Sequence, residues 1–247
     1  MRNSARRLAE IVAMLREAVR PGVSTAELDQ LAEKMVRDLG GVPSFKGYRV
    51  LGIPDPFPAT ICASPNDAVV HGIPNDTPLV SGDIISIDVG LIYGGYHSDC
   101  AFTAAVGEVA EEVRKLLDVT EQSLYQGVSQ AQPGKRIGDI GHAIQSYIEP
   151  HQYGIVQEYV GHGIGRKLHE RPSIPNFGKA GRGDLLKAGM CIAIEPMVNM
   201  GGPDTEALED GWTVVTADRT LSAHFEHTVA ITPKGPEILT VLESATL

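Results

Sequence analysis

No Cys-x-x-Cys pair occurs in this sequence, and its three cysteines, Cys62, Cys100 and Cys191, are odd in number and far apart. That spacing argues against a disulfide framework and against a zinc knuckle. No apolar run approaches the roughly 20 residues of a membrane span, and Met1-Arg-Asn-Ser-Ala-Arg-Arg is not followed by the apolar core of a signal peptide. The expectation is a cytoplasmic protein with no membrane partner. Basic charge is scarce: 21 Lys and Arg stand against 31 Asp and Glu, a net charge of −10. That argues against nucleic acid as a partner, and Arg2, Arg6 and Arg7 read as a solvated helix face. There is no Gly-x-Ser-x-Gly elbow and no Walker loop, so neither acyl transfer of that type nor nucleotide hydrolysis is indicated. His169-Glu170 opens like the zinc-helix motif His-Glu-x-x-His, but position 173 is Ser and the motif fails.

What is present is organised around Leu79–Gly107. Two β-branched apolar runs flank Tyr93-Gly94-Gly95-Tyr96, and Gly-Gly is a favoured two-residue hairpin turn. With that turn, Asp88 faces Ala101 and Gly90 faces Asp99. Asp88 and Asp99 then share a face as diagonal neighbours, with Cβ atoms roughly 7–8 Å apart or slightly less. Two carboxylates at that reach can both touch a metal or a pair of metals. Taken alone, the hairpin reads more simply, with Ile85, Ile87, Val89 and Leu91 toward a core and Ser86, Asp88 and Gly90 toward water.

A repeat changes that balance. Leu186–Glu195 matches Leu79–Asp88, with Gly82 to Gly189 and Asp88 to Glu195 both 107 residues apart. His97-Ser-Asp99 matches His224-Phe-Glu226 at a shift of 127, and Pro21-Gly22 with Leu28 echoes Pro133-Gly134 with Ile140 at 112. The chain reads as two copies of one unit, about 1–107 and 108–247, each bringing two carboxylates. Four acids converging between the copies repel one another unless a cation sits among them.

Helical spacing is expected over residues 4–20 and again after Ser24, whose partner Glu27 completes a capping box. Gly40-Gly41 ends that helix, and 42–60, with four prolines, reads as a long irregular loop of the kind that lines a site. A strand at 59–63 precedes the hairpin. Helices are expected over 108–131 and 137–148, a short strand over 154–159, loop over 172–183, and a final hairpin over 210–232. No linker separates independent domains, so the copies should share one continuous sheet with helices on its other face.

Gly161-His-Gly-Ile-Gly165 lacks the Gly-x-Gly-x-x-Gly spacing of a dinucleotide loop, but its glycines let backbone and ligand approach His162, and imidazole is a common metal ligand. His71, in Val70-His-Gly-Ile-Pro74, reads by itself as structural, and Trp212 and the cysteines read as core. Together, His71, Asp88, Asp99, Gly161–Gly165, His169, Glu195-Pro196 and Glu226 resemble the type I methionine aminopeptidases, metallopeptidases of the M24 type, over nearly the whole chain. The resemblance implies the pita-bread fold, an α/β (α+β) single catalytic domain over 1–247 whose pseudo-two-fold halves share a curved antiparallel sheet covered by helices. It implies two divalent metal ions, with Asp88 chelating one, Asp99 and Glu226 bridging both, and His162 and Glu195 completing the second site. Mn, Co or Fe(II) suits such ligands, with Zn an alternative.

The implied reaction is attack of a metal-activated water on the first peptide bond, with Glu195 handling the proton and His71 and His169 contacting the substrate's peptide group. Cys62, Tyr48, Met197 and Trp212 fall where the family builds its methionine pocket, with Phe57 a candidate second aromatic. The implied substrates are N-termini of newly made polypeptides with a small second residue, met transiently at the ribosome by a monomeric enzyme. The chain departs from the family in starting later, in the longer insert between Tyr48 and Cys62, in Leu168 where an aromatic often stands, and in His224 where glutamine is often found. Xaa-Pro aminopeptidases share the fold and the five ligands but usually carry an extra N-terminal domain, for which 247 residues leave no room. A non-catalytic binding protein on this fold is the rival of another class, and such proteins typically lose ligands.

Overall fold

Amphipathic spacing makes the first two elements. In the computed structural model, which describes residues 1–242, α1 (Arg2–Ala18) buries Leu8, Ile11, Val12 and Leu15, and α2 (Thr25–Asp38) buries Leu28, Ala32 and Val36. Ser24 caps α2 through the expected capping box, its N–H donating to the Glu27 carboxylate at 2.8 Å. The strands β1 (Val42–Pro43), β2 (Ile61–Pro65), β3 (Ala68–Val70), β4 (Ile84–Tyr93) and β5 (Tyr96–Ala105) follow. Then come α3 (Glu111–Gln130), α4 (Ile137–Ile148) and a 3₁₀ turn (Glu149–His151). The remaining strands are β6 (Gly154–Ile155), β7 (Gly161–Gly163), β8 (Glu170–Ile174), β9 (Cys191–Ile194) and β10 (Met197–Asn199). The last five are β11 (Thr205–Ala207), β12 (Val214–Thr216), β13 (Ser222–His224), β14 (Glu226–Thr232) and β15 (Gly235–Ile238).

The main sheet runs β1-β4-β5-β14-β9-β7-β8, with β2 also on β4 and β15 also on β14. Every pairing is antiparallel. Its centre, β4-β5-β14-β9, places the hairpin beside the strands that repeat it in sequence. One face carries Ile85, Ile87, Val89, Phe102, Ile192 and Val229 into a core shared with all four helices. The hairpin has the register expected of a Gly-Gly turn: Tyr93 pairs with Tyr96, Asp88 with Ala101 and Gly90 with Asp99. Gly94 and Gly95 have φ of 60° and 78°, as a type I′ turn requires at both central positions.

The simpler reading of the hairpin's other face does not hold. Ser86 is buried, and a Cβ at Gly90 would lie 2.7 Å from Ser44 Cβ and 2.8 Å from Phe45 Cε1, so the 44–58 loop covers that face. Other boundaries shift as well. Val42 and Pro43, expected in the loop, pair with Ile92 and Leu91. The strand expected over 154–159 is confined to Gly154–Ile155, and residues 172–174, expected as loop, belong to β8. The stretch 210–232 is not one hairpin: β12, β13 and β14 join three different sheets, because the chain changes direction at Phe225, whose N–H reaches Pro196 O.

The seam between the halves is narrow. Only Glu226–Ala101 and His227–Cys100 pair directly between β14 and β5. On one side of them Thr228 Oγ1 accepts from Asp99 N–H (2.9 Å) and donates to Asp99 C=O (2.8 Å). On the other, Thr103 Oγ1 accepts from His224 N–H (2.8 Å) and donates to His224 C=O (2.9 Å). Each hydroxyl thus stands in for a backbone partner. Thr228→Val and Thr103→Val keep shape and branching but strand a buried N–H and C=O. Each should lower stability by about 1–3 kcal/mol, seen as a fall in denaturant midpoint with unchanged slope. Unchanged midpoints would show that the hydroxyls do not hold the seam.

Candidate metal centre and pocket

The register of the sheet carries the acids to one place. Directly paired residues point to one face, and one row of the sheet reads Cys62, Asp88, Ala101, Glu226 across β2, β4, β5 and β14. Glu195 immediately follows Ile194, the β9 residue paired with His227, which extends the row. Asp99 lies two residues before Ala101, on the same face. Ala101 is the small residue between two acids, and its single methyl leaves the space above the row open. His162 enters from β7.

Asp99, His162 and Glu226 are 4%, 7% and 1% exposed, and one donor atom from each lies within 4.8 Å of the others. His162 Nε2 is 4.0 Å from Asp99 Oδ2 and 3.6 Å from Glu195 Oε1. His162 Nδ1 lies 2.9 Å from Gly163 O. Only a proton on Nδ1 suits that carbonyl, which turns the Nε2 lone pair toward the acids. Asp88 and Glu195 keep a little surface, and it opens on the same cavity.

Crowding sets the electrostatics. Burial pushes the Asp88 carboxyl up to about 7, and burial followed by repulsion from Asp88 pushes Glu195 up to about 8. Asp99 and Glu226 stand well above the carboxylate range, by burial first and then by their acidic neighbours. Asp88 Oδ1 and Glu226 Oε1 are buried without a hydrogen-bond partner. Orphaned acid oxygens around an imidazole lone pair fit a divalent cation, which would reverse these shifts and supply the missing partners. The oxygen-rich donor set excludes a thiolate site, and burial holds the Cys62 thiol protonated, well above its ordinary value.

The other site histidines frame the cavity. His71 adopts φ 58°, a left-handed conformation uncommon outside glycine, and its ring lies edge-on to Tyr159 (5.6 Å) and Trp212 (6.3 Å). Burial lowers it to about 4. The His169 ring is 4.4 Å from that of His162. Although His169 is exposed at the cavity mouth, desolvation on its inner side, then His162, His71 and His97, lower it to about 4. Both are neutral hydrogen-bonding groups near pH 7.

The acids open on a cavity of about 180 Å³ whose lining includes Tyr48, Phe57, Cys62, Leu168 and Trp212 together with Asp88, Asp99, Glu195, Glu226, His71, His162 and His169. Phe57 packs edge-on to Trp212 at 5.2 Å. Met197, expected in the pocket, does not line it; it is fully buried with Val69, Val70 and Val156 in a separate cluster, the chain passing at Pro196 from β9 of the main sheet to β10 of a smaller one. Phe45, Tyr159 and His224 line the cavity and were not expected there. The long insert is pinched at its neck, where Gly47 N–H donates to Phe57 O (2.8 Å) and Phe57 N–H to Tyr48 O (2.9 Å). The neck sets Tyr48 and Phe57 side by side, and Trp212 Nε1–H ties down the tip through Asp55 O (3.2 Å).

Residues 1–233 match metallopeptidase family M24. A methionine aminopeptidase from Clostridium perfringens is 51% identical over 243 residues, 98% of this chain and 95% of that protein. The chain belongs to the methionine aminopeptidases of family M24. The crystal structure of the methionine aminopeptidase from Rickettsia prowazekii is 43% identical and superposes with a TM-score of 0.94, covering 98% of this chain and 95% of that one. The sheet and helices are therefore the pita-bread fold. An X-Pro aminopeptidase from Thermotoga maritima, 19% identical with a TM-score of 0.73, shares the fold alone; the match covers 98% of this chain and 59% of that one. Among the described residues, no helix is long and apolar enough to cross a membrane.

Within this methionine aminopeptidase framework, Tyr48 OH lies 2.6 Å from His169 Nδ1. A phenol donating there leaves the ring proton on Nε2, directed inward. Tyr48→Phe should release that tautomer, so that the ¹⁵N spectrum of the His169 ring changes from an unprotonated Nδ1 to a mixture, with metal affinity unchanged. An identical spectrum would show that Tyr48 does not set the tautomer.

Proposed function

We propose that residues 1–247 form one catalytic domain that removes the N-terminal methionine from newly made polypeptides whose second residue is small. The observation carrying this reading is that five metal-capable side chains and a wall of aromatic and aliphatic ones line a single cavity of about 180 Å³. Asp88, Asp99, His162, Glu195 and Glu226 would hold two divalent ions; Mn, Co or Fe(II) matches the donor set, and Zn is also compatible. When bound, such ions acidify a water and polarise the scissile carbonyl.

The chain's own residues do the rest. Glu195 accepts the proton released in the attack and returns it to the departing amine. His71 and His169, neutral and facing the cavity, hydrogen-bond to the developing oxyanion and to the departing nitrogen once the carbonyl carbon is tetrahedral. Cys62, Phe57 and Trp212 enclose an unbranched thioether, a soft side chain that fills such a space well. Tyr48 holds the rim through His169. The acid cluster closes the far end, so the substrate's free amine meets it and only one residue can precede the cleaved bond. A monomer working in the cytoplasm and meeting nascent chains transiently at the ribosome fits a substrate that exists only as a new N-terminus.

Three experiments test this. Chelation should abolish activity and Mn²⁺, Co²⁺ or Fe²⁺ should restore it, while Asp99→Asn stays folded and inactive; full activity in metal-stripped Asp99→Asn would overturn the metal reading. His71→Ala and His169→Ala should lower kcat by about 10²–10⁴ with little effect on metal affinity. Met-Ala-type peptides should be cleaved in preference to Leu-Ala by a factor corresponding to about 1–3 kcal/mol, and Met-Lys poorly. Equal kcat/KM for Leu-Ala and Met-Ala would leave a general aminopeptidase rather than a methionine-selective one.

A further inference from the structure

The two oxygens of Glu195 have different neighbours. Oε1 lies 3.6 Å from His162 Nε2 and Oε2 lies 3.8 Å from His224 Nε2. His162 is not available as a donor to Glu195, because its proton is held on Nδ1 by Gly163 O and its Nε2 presents a lone pair. His224 differs. It is 2% exposed, and its Nε2 is buried with no hydrogen-bond partner. Buried polar atoms are rarely left in that condition. Its backbone is held at both N–H and C=O by Thr103 Oγ1, so the imidazole is set on a fixed base. Glu195 sits past the end of β9, in the turn toward β10.

We propose that His224 is a positioning residue for Glu195: its Nε2–H donates to Glu195 Oε2, holding that oxygen and leaving Oε1 turned toward His162 and the acid cluster. This inference rests on the metal reading above. Shortening 3.8 Å to an ordinary hydrogen bond takes a side-chain movement of about an ångström. The bond satisfies the orphaned nitrogen and removes the choice between the two carboxylate oxygens. It also gives Glu195 the kind of outer hydrogen bond that orients a metal-binding carboxylate. The small sheet beside the acids therefore supplies an anchored imidazole to one of them, from the end of β13, two residues before Glu226.

The test compares His224→Gln, which keeps an N–H donor, with His224→Leu, which keeps bulk and loses it. The readouts are Mn²⁺ titration of the chelator-stripped protein by calorimetry, the ring ¹⁵N spectrum of His224 in the parent, and kcat and KM on a Met-Ala-type peptide. His224→Leu should weaken Mn²⁺ binding by about 10–100-fold and lower kcat with KM little changed, while His224→Gln stays within about threefold of the parent. The parent spectrum should show a protonated Nε2. Parent-like Mn²⁺ affinity and kcat in His224→Leu would overturn the proposal, as would a folded His224→Gln as impaired as His224→Leu. If His224→Leu does not fold, an unprotonated Nε2 in the parent overturns it equally. A parent that shows a protonated Nε2 but takes up no Mn²⁺ would support the pairing and defeat the metal reading instead.

Discussion

Four carboxylates share one buried cavity, and their mutual repulsion is the constraint around which the rest is arranged. Water does not screen them, and each raises the proton affinity of the next. A fold that brings such groups together must either leave them protonated or offer them a cation. The imidazole of His162, with its lone pair turned inward by Gly163 O, selects the second solution. Ala101 contributes by being small: a larger side chain between Asp88 and Glu226 would occupy the space a cation needs. The sheet supplies the rest of the rigidity, because one row of directly paired residues fixes Cys62, Asp88 and Glu226 with no loop among them.

The pocket is built on a different principle. Its walls come from loops and strand ends, and their positions depend on a few cross-links. The neck bonds between Gly47, Tyr48 and Phe57 hold the ends of the insert together. The extra residues bulge outward while the two aromatics stay adjacent. Trp212 is held from two directions, by Phe57 against its ring and by Asp55 at its indole nitrogen. Tyr48 belongs both to the pocket rim and to His169, so one residue borders the cavity and fixes the imidazole beside the acids.

Much of this was legible in the sequence, for reasons that can be named. The Gly-Gly turn and a strict period of two fix the hairpin register, and with it the Asp88–Asp99 diagonal. Repetition of acid under acid points to Glu195 and Glu226 before any strand is placed. What escaped was non-local or directional. Met197 is two residues from Glu195, yet the chain passes at Pro196 into a smaller sheet and proximity in sequence misleads. The 210–232 stretch alternates like a hairpin, but its strands answer to partners in three sheets. The bond from Tyr48 to His169 joins residues 121 apart, and nothing local announces it. Thr103 and Thr228 read as ordinary strand threonines, since their use depends on how far the two halves stand apart.

The narrow seam also bears on how the molecule comes into being. Asp99 and Thr228 are 129 residues apart in the chain, and contacts of such separation form only after the entropy of closing the intervening loop has been met. The full acid cluster has no existence until β14 docks on β5. Two of the four acids, Glu195 and Glu226, arrive from the last quarter of the chain. A divalent ion therefore has little to bind in the unfolded or half-made chain and cannot template the early steps. It acts afterward, drawing the equilibrium toward the finished structure in proportion to its free concentration.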